Sequence, residues 1–175
     1  MRGKWLLLSL LTVELVGCSR QSASPRPTKE SVIPAGEIGS RLPTFTVGDL
    51  QGHKLSSADL HGKVVLIDFW ATWCQPCKQE MPGYQKLLDR YGSEGFVVVG
   101  LKFDTMMDME NPLKFAKKIG VRYPLAVATD DLRRKFGGIE GLPTTMLYDR
   151  DGILRQKVIG FEYTETFEAN LKPLL

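Results

Sequence analysis

Apolar runs alternate with amphipathic segments from residue 44 to the end of the chain. Residues 64–70 are a β-branched and aromatic run, which predicts a central strand covered on both faces. Residues 77–91 then change to helical spacing. One stripe of this helix carries Met81, Tyr84, Leu87, Leu88 and Tyr91. The pattern therefore predicts a strand followed directly by a helix.

The same alternation continues towards the C-terminus. Further strands are predicted over residues 96–101, 125–127, 145–148 and 153–159, and further helices over residues 112–119, 131–136 and 164–172. A turn at residues 149–152 joins the last two strands as a hairpin, and residues 44–50 and 53–56 form a small leading hairpin around Gln51-Gly52. Helices that alternate with strands, together with a closing hairpin, predict an α/β fold with a mixed sheet.

The amino terminus has the build of an export signal. Met1-Arg2-Gly3-Lys4 is positive, and the apolar run from Trp5 to Val16 is too short to cross a bilayer, which needs about twenty residues. The run ends in Leu15-Val16-Gly17-Cys18, which resembles the bacterial lipoprotein box. That resemblance implies cleavage before Cys18 and its lipidation; the alternative is an ordinary signal peptide.

The chain divides into three segments. Residues 1–17 are predicted to be the signal peptide, and residues 18–40 form a tether rich in Ser, Pro and Thr that lacks periodic apolar positions. Residues 41–175 form the folded domain. An apolar fraction of 43% and a charged fraction of 25% are those of a soluble globular protein. A net charge of +3 without a basic stripe argues against nucleic-acid binding.

Cys74 and Cys77 stand at the predicted junction of the central strand and the first helix. In this position a helix amino terminus offers N–H groups and a partial positive charge, which favour the reactive thiolate. We predict that Cys74 is the exposed nucleophile and Cys77 the resolving thiol. A purely structural disulfide would stabilise little across so short a loop, and a zinc site would need ligands beyond His53 and His61. No metal and no cofactor other than the cysteine pair is expected.

Two segments of the chain resemble the thioredoxin superfamily, and within it the TlpA/ResA-like branch of membrane-tethered bacterial oxidoreductases. They are residues 68–77, Asp-Phe-Trp-Ala-Thr-Trp-Cys-Gln-Pro-Cys, and residues 141–145, Gly-Leu-Pro-Thr-Thr. The leading hairpin with Gly62-Lys63 adds to the resemblance. It implies a thioredoxin fold with helices flanking a mixed sheet, an N-terminal β-hairpin extension and a strand/helix insertion.

The resemblance also implies how a substrate is held. Pro143 is expected to follow a cis peptide bond and to face the cysteine pair, and Leu142 to pair its backbone with a substrate strand. We expect further substrate contacts from Trp73, Gln75, Pro76 and Thr144.

Two acidic residues are candidates for tuning the thiols. Asp68 interrupts an apolar strand, so burial should raise its pKa and allow it to exchange a proton with Cys77; the alternative is a structural pair with a lysine. Glu80 lies one helical turn after Cys77 and could raise thiol pKa values through its charge. The alternative for Glu80 is a solvated surface carboxylate.

The resulting hypothesis is an extracytoplasmic, lipid-anchored thiol–disulfide oxidoreductase. As a reductant it would act on disulfides of exported client proteins, as in apocytochrome c maturation, and would take electrons from a membrane thiol-transfer partner. We expect a monomer. The alternatives are a disulfide-donating oxidant and a binding module with a structural disulfide. Peroxidase activity is not expected, because Ile67 and Ala71 replace the proline and threonine that precede the reactive cysteine of peroxiredoxins.

Overall fold

The computed structural model describes residues 33–103, 107 and 110–175. The expected signal peptide, Cys18 and the tether up to residue 32 therefore lie outside the described residues. Residues 33–40, which we assigned to the tether, contact the folded domain. The N–H of Gly39 donates to the carbonyl of Leu154 at 2.9 Å, and the N–H of Leu154 donates to the carbonyl of Ser40 at 2.8 Å. Ordered contacts of the domain thus begin before residue 41.

Seven strands and four α-helices alternate through the described residues. The strands are β1 (Thr46–Gly48), β2 (Lys54–Ser56), β3 (Val64–Trp70), β4 (Phe96–Lys102), β5 (Leu125–Val127), β6 (Thr144–Tyr148) and β7 (Leu154–Ile159). The helices are α1 (Gln75–Tyr91), α2 (Pro112–Lys118), α3 (Asp130–Lys135) and α4 (Thr164–Leu171). Three short 3₁₀ turns complete the described elements. Within these ranges, no helix has the length and apolar character needed to cross a membrane.

Five strands form one mixed sheet in the order β5-β4-β3-β6-β7. Strand β3 pairs in parallel with β4 and antiparallel with β6, and all seven of its residues are buried. Strand β4 pairs in parallel with β5, and β6 pairs antiparallel with β7. The predicted α/β thioredoxin fold with a mixed sheet is therefore confirmed, with β5 and α3 as the strand/helix segment between β4 and β6.

The predicted leading hairpin is present and covers one edge of this sheet. Strands β1 and β2 pair antiparallel, and Asp49 forms an isolated bridge with Ala126 of β5. The N–H of Leu50 donates to the carbonyl of Leu125 at 2.6 Å. Because an uncovered edge strand could pair with another chain, the hairpin also protects the short edge strand β5.

Strand β3 carries the two hydrophobic cores on its two faces. Leu66 and Trp70 belong to the cluster that contains both cysteines and the apolar side of α1, whereas Ile67 and Phe69 belong to the cluster on the other face. Successive side chains of a strand alternate between faces. Asp68 is two residues from both Leu66 and Trp70 and lies on the same face of β3 as they do. Its carboxyl group therefore faces the helix that follows the cysteines.

Candidate active site

The cysteine pair lies where the central strand meets the first helix. Cys74 and Cys77 form a disulfide, and Cys74 is the residue that caps α1. Its sulfur accepts a hydrogen bond from the backbone N–H of Cys77 at 3.3 Å, and Pro76 occupies the first turn of the helix. Helix α1 begins at Gln75, two residues earlier than the apolar pattern indicated, because the cap and the proline carry no apolar signal. The first sulfur thus sits against the N–H groups of a helix amino terminus.

The two sulfurs differ in depth as expected, but both are more covered than the sequence indicated. Cys74 is 3% exposed and Cys77 is 0% exposed, so in the disulfide form the expected exposed nucleophile is almost covered. Trp73 and Gln75 are exposed and Pro76 is half-buried, so these three residues form the rim around Cys74. The two cysteines are buried because they belong to the hydrophobic cluster between α1 and the sheet. Leu142 packs against the same cluster.

The loop before β6 lies beside the cysteines. The Leu142–Pro143 peptide bond is cis, and β6 then begins with Thr144 directly across from Phe69 of β3. This register sets Leu142 and Pro143 alongside the segment that leads from β3 to Cys74. Among the described residues, no backbone hydrogen bond involves Leu142. Its N–H and carbonyl are therefore available for an incoming strand.

Thr144 is placed differently from the other expected substrate contacts. Its side chain is fully buried, and its hydroxyl donates to the carbonyl of Gly141 at 2.7 Å. The carbonyl of Pro143 in turn accepts from the N–H of Gly160 at 2.8 Å. Thr144 therefore shapes the cis-proline loop from inside rather than offering its side chain to a substrate.

Asp68 is a fully buried carboxyl group beneath the cysteine pair. Burial raises the pKa of Asp68 to about 7, and the Tyr123 hydroxyl, which lies close by but outside hydrogen-bond geometry, offsets only part of this rise. Neither carboxyl oxygen has a hydrogen-bond partner within the described residues, and the same is true of the Tyr123 hydroxyl. Among the ion pairs within the described part of the chain, none joins Asp68 to a lysine. Asp68 is thus poised to gain or lose a proton near neutral pH.

Glu80 is buried as well, which removes the alternative of a solvated surface carboxylate. The residue is 1% exposed and lies one turn after Cys77 on α1. Burial, and after it the charge of Asp68, raises the pKa of Glu80 to about 9. The nearby backbone N–H of Glu162 and the hydroxyl of Tyr84 offset only part of the rise, since neither Glu80 oxygen has a hydrogen-bond partner among the described residues, while the charge of Glu162 adds to it. At neutral pH Glu80 is therefore protonated and uncharged.

Two tyrosines complete this polar cluster, and the sequence did not single out either for chemistry. The hydroxyls of Tyr84 and Thr145 lie 3.1 Å apart, and Thr145 stands directly across from Asp68 on β6. Burial raises the pKa of both Tyr84 and Tyr123, so each keeps its proton. Tyr84 was assigned to the apolar stripe of α1. The hydroxyl group of Tyr84 in an otherwise apolar stripe was the one feature of the sequence that could have indicated its role. Tyr123 lies in a loop, where no sequence pattern indicated that it approaches Asp68.

A dithiol–disulfide pair at a helix start, a cis-proline loop beside it and a buried carboxyl group beneath it define a thioredoxin-fold thiol–disulfide oxidoreductase. Residues 38–157 match the AhpC/TSA family, and the chain belongs to this thioredoxin-like family. It is an enzyme of the thiol–disulfide oxidoreductase class.

Relatives and solved structures agree with this assignment. Thiol-disulfide oxidoreductase ResA of Bacillus thuringiensis (strain Al Hakam) is 36% identical over 141 residues, covering 79% of each chain. Thioredoxin-like protein YneN of Bacillus subtilis (strain 168) is 30% identical over 169 residues, covering 96% of each chain. A thiol:disulfide interchange protein of the thioredoxin family from Chlorobium tepidum TLS superposes with a TM-score of 0.71 at 31% identity, covering 80% of this chain and 99% of that chain.

Proposed function

We propose that the protein is a reductant of disulfides in exported proteins and acts outside the cytoplasm. The observation that carries the proposal is the position of the Cys74 sulfur, at the start of α1 and beside the cis-proline loop. The N–H groups of the helix stabilise a thiolate there, and the thiolate is the attacking species. The ResA name of the relatives supports the thiol–disulfide chemistry.

In the proposed reaction the reduced protein supplies two electrons. The Cys74 thiolate attacks one sulfur of the client disulfide, whose S–S bond breaks, and the second client sulfur leaves as a thiolate that takes up a proton. Cys77 then loses its proton to ionised Asp68 and attacks the Cys74 sulfur. This second step breaks the mixed disulfide between Cys74 and the client: the remaining client sulfur leaves as a thiolate, which takes up a proton from Asp68 or from solvent, and the Cys74–Cys77 disulfide forms.

The client is proposed to lie along the cis-proline loop. The available N–H and carbonyl of Leu142 pair with the client backbone, and Pro143 faces the disulfide. The client is contacted from the other side of Cys74 by the three solvent-accessible residues next to this cysteine, Trp73, Gln75 and Pro76. Glu80 is uncharged at neutral pH, so it raises the pKa values of the cysteine thiols less than a charged carboxylate would.

We further propose that Cys18 is lipidated after removal of residues 1–17, and that a membrane thiol-transfer partner returns electrons to the Cys74–Cys77 disulfide. The lipoprotein box of residues 15–18 supports the anchor. The proposed clients include the haem-attachment cysteines of apocytochrome c. Metabolic labelling with a fatty-acid analogue tests the anchor: the full chain should be labelled and its Cys18→Ser variant should not.

Trapping tests the roles of the two cysteines. Cys77→Ser should accumulate mixed disulfides through Cys74 with an oxidised peptide that carries two haem-attachment cysteines, and Cys74→Ser should trap none. A binding module with a structural disulfide would instead give equal, non-covalent binding by both variants. The direction of electron flow is tested by the reduction potential. A value near about −250 mV supports a reductant, whereas a value near about −130 mV would indicate a disulfide-donating oxidant.

A further inference from the structure

Tyr123 is a buried tyrosine whose hydroxyl has no part in the chemistry proposed above. The residue is 2% exposed, and its hydroxyl has no hydrogen-bond partner among the described residues. A buried hydroxyl without a partner destabilises a folded protein, and a phenylalanine of the same shape would avoid that cost. Packing in the core therefore explains the ring of Tyr123 but not its hydroxyl.

Tyr123 approaches Asp68 through a gap in the sheet at Gly100. Gly100 of β4 is in register with Asp68 of β3, and its N–H donates to the carbonyl of Pro124 at 2.9 Å. The ring of Tyr123, which comes just before Pro124, passes over this glycine: a Cβ on Gly100 would lie 3.2 Å from Cε2 of the ring. Neighbouring strands are only about 4.8 Å apart. The absence of a side chain at position 100 thus opens the way from Tyr123 to Asp68.

Two polar groups border this gap, the Tyr123 hydroxyl and the indole N–H of Trp70. Nε1 of Trp70 would lie 3.0 Å from the same Cβ on Gly100. The indole ring stacks on Phe115 of α2 with centroids 5.4 Å apart, and this contact fixes the direction of its N–H. The Tyr123 hydroxyl has no such constraint, because a hydroxyl hydrogen rotates to suit its acceptor.

Helix α1 presents the other titratable groups to Asp68. Cys77 is the thiol whose proton is transferred, and Glu80 is a second carboxyl group whose charge would repel that of Asp68. The Tyr84 hydroxyl already pairs with the hydroxyl of Thr145 on β6 at 3.1 Å. Tyr123 therefore comes to Asp68 from a different side, with a hydroxyl that no other described group engages.

We infer that Tyr123 is a positioning residue for the proton transfer from Cys77 to Asp68, and that its hydroxyl donates a hydrogen bond to the Asp68 carboxylate. A neutral carboxyl group has its own O–H, whereas an ionised one only accepts hydrogen bonds. Hydrogen bonds to an ionised group are shorter and stronger than neutral ones, so ionisation of Asp68 draws in the Tyr123 hydroxyl. Burial raises the pKa of Tyr123, so it keeps its own proton.

The hydrogen bond holds more of Asp68 in the form that accepts the Cys77 proton near neutral pH. Tyr123 thus acts on the resolving step through Asp68 and touches neither sulfur chemistry nor client. This inference rests on the proposed function, because it assumes that Asp68 accepts the proton of Cys77.

The test is Tyr123→Phe, which removes the hydroxyl and keeps the ring. Carboxyl NMR of the oxidised protein should show the Asp68 midpoint about one pH unit higher, a shift typical of one hydrogen bond to a charged group. From a wild-type value of about 7, the ionised fraction at pH 7 then falls from about one half to about one tenth. In acid-quenched single turnovers on a peptide disulfide, attack by Cys77 should therefore be about fivefold slower at pH 7 and equal to the wild type at alkaline pH.

Tyr148→Phe is the matched control. Tyr148 is also buried, and its hydroxyl donates to Sδ of Met146 at 3.5 Å within the cluster on the other face of the sheet. Its replacement removes a tyrosine hydroxyl without touching the surroundings of Asp68. The Asp68 midpoint and the pH profile of the resolving step should both stay as in the wild type.

Urea unfolding of the oxidised protein gives a readout that a packing role would not produce. At pH 5 Asp68 is protonated in both proteins, so Tyr123→Phe should be at least as stable as the wild type, because an unpartnered hydroxyl is gone. At pH 9 the variant should be the less stable protein. Its Asp68 holds the proton to a higher pH, so the native state loses more stability as the pH rises.

The possible failures are distinguishable. An Asp68 midpoint that is unchanged in Tyr123→Phe would contradict the role of Tyr123 and leave the proposed function intact. A midpoint that rises while the resolving step keeps its wild-type pH profile would show that Asp68 is not the base, which overturns both. A rate lowered by one factor at every pH, with equal loss of stability at pH 5 and pH 9, would assign Tyr123 to packing alone.

Discussion

Glu80 and Asp68 are two buried carboxyl groups, and the charge of Asp68 acts on Glu80. Burial makes the larger contribution, and the Asp68 charge the next, to a Glu80 pKa of about 9. Asp68 itself has a pKa near 7. Both groups therefore keep their protons to a higher pH than exposed carboxyl groups do, and a charge on either one makes ionisation of the other less favourable. The redox centre thus contains a coupled pair of carboxyl groups that titrates at and above neutral pH.

Replacing Asp68 should change the titration of Glu80. In Asp68→Asn the negative charge is lost while the burial of Glu80 is kept, so the pKa of Glu80 should fall below about 9. Side-chain carboxyl NMR across a pH titration of the oxidised protein measures this directly. Glu162→Gln should lower the Glu80 pKa by less, because the charge of Glu162 acts on Glu80 more weakly than the charge of Asp68 does. A Glu80 pKa that does not change in Asp68→Asn would contradict the proximity of the two groups.

The buried carboxyls should also make the protein less stable as the pH rises. The folded-state pKa values of Asp68 and Glu80 lie above their ordinary values of 3.8 and 4.5, so between these limits the native state binds more protons than the unfolded state. The free energy of unfolding should then fall from about pH 4 to about pH 7 through both groups, and further to about pH 9 through Glu80 alone. Urea unfolding of the oxidised protein at several pH values measures this slope.

A double variant provides the control for that slope. Asp68→Asn combined with Glu80→Gln removes both titrations, so its stability should be flatter over the same pH range and higher than that of the wild type at alkaline pH. A wild-type stability that rises with pH in this window would show that other groups dominate.

Asp68→Asn should slow the step in which Cys77 resolves the mixed disulfide. Without a group that accepts the Cys77 proton, this step should be about 10² slower near neutral pH, the lower end of general-base effects. Single-turnover reduction of a peptide disulfide, quenched with acid, separates the mixed disulfide from the product. The first attack by Cys74 should be little changed. If the rates of the Cys74 attack and of the Cys77 resolving step fell by the same factor, the substitution would have distorted the site as a whole.

The close approach of α1 and α4 at Gly83 should not tolerate a side chain. A Cβ at Gly83 would lie 2.0 Å from the hydroxyl oxygen of Thr164, at the start of α4. Gly83→Ala should therefore cost about 1–3 kcal/mol of stability in urea unfolding. Gly92→Ala is the control, because its Cβ would meet Leu88 at an ordinary 3.5 Å and should change the stability little. Equal effects of the two substitutions would contradict the packing argument.

Membership of the AhpC/TSA family does not change our prediction that peroxide turnover is negligible. Ile67 and Ala71 are buried apolar residues at the positions where peroxiredoxins have a proline and a threonine. They offer no side-chain hydroxyl to a peroxide near Cys74. Peroxide consumption by the purified protein with a thiol donor measures the activity. Rapid turnover abolished by Cys74→Ser would contradict this prediction.

The sequence by itself determined the layered α/β fold and the cysteine pair. Local patterns carried this information: the continuous apolar run of β3, the helical stripe that follows it and the Cys-Gln-Pro-Cys segment at their junction. Such signals depend on neighbours along the chain, so they are readable without the fold. The start of α1 was missed by two residues because a capping residue and a proline contribute no apolar periodicity.

Only the tertiary structure decided the environment of the site. Burial of Glu80 and the approach of Tyr123 to Asp68 depend on the packing of α1 and of the Tyr123 loop against the sheet. The position of Ile159 beside the cis-proline loop follows from the pairing of β6 with β7. These contacts join residues distant along the chain, and pKa values and exposure respond to all groups in space. No local pattern could therefore have specified them.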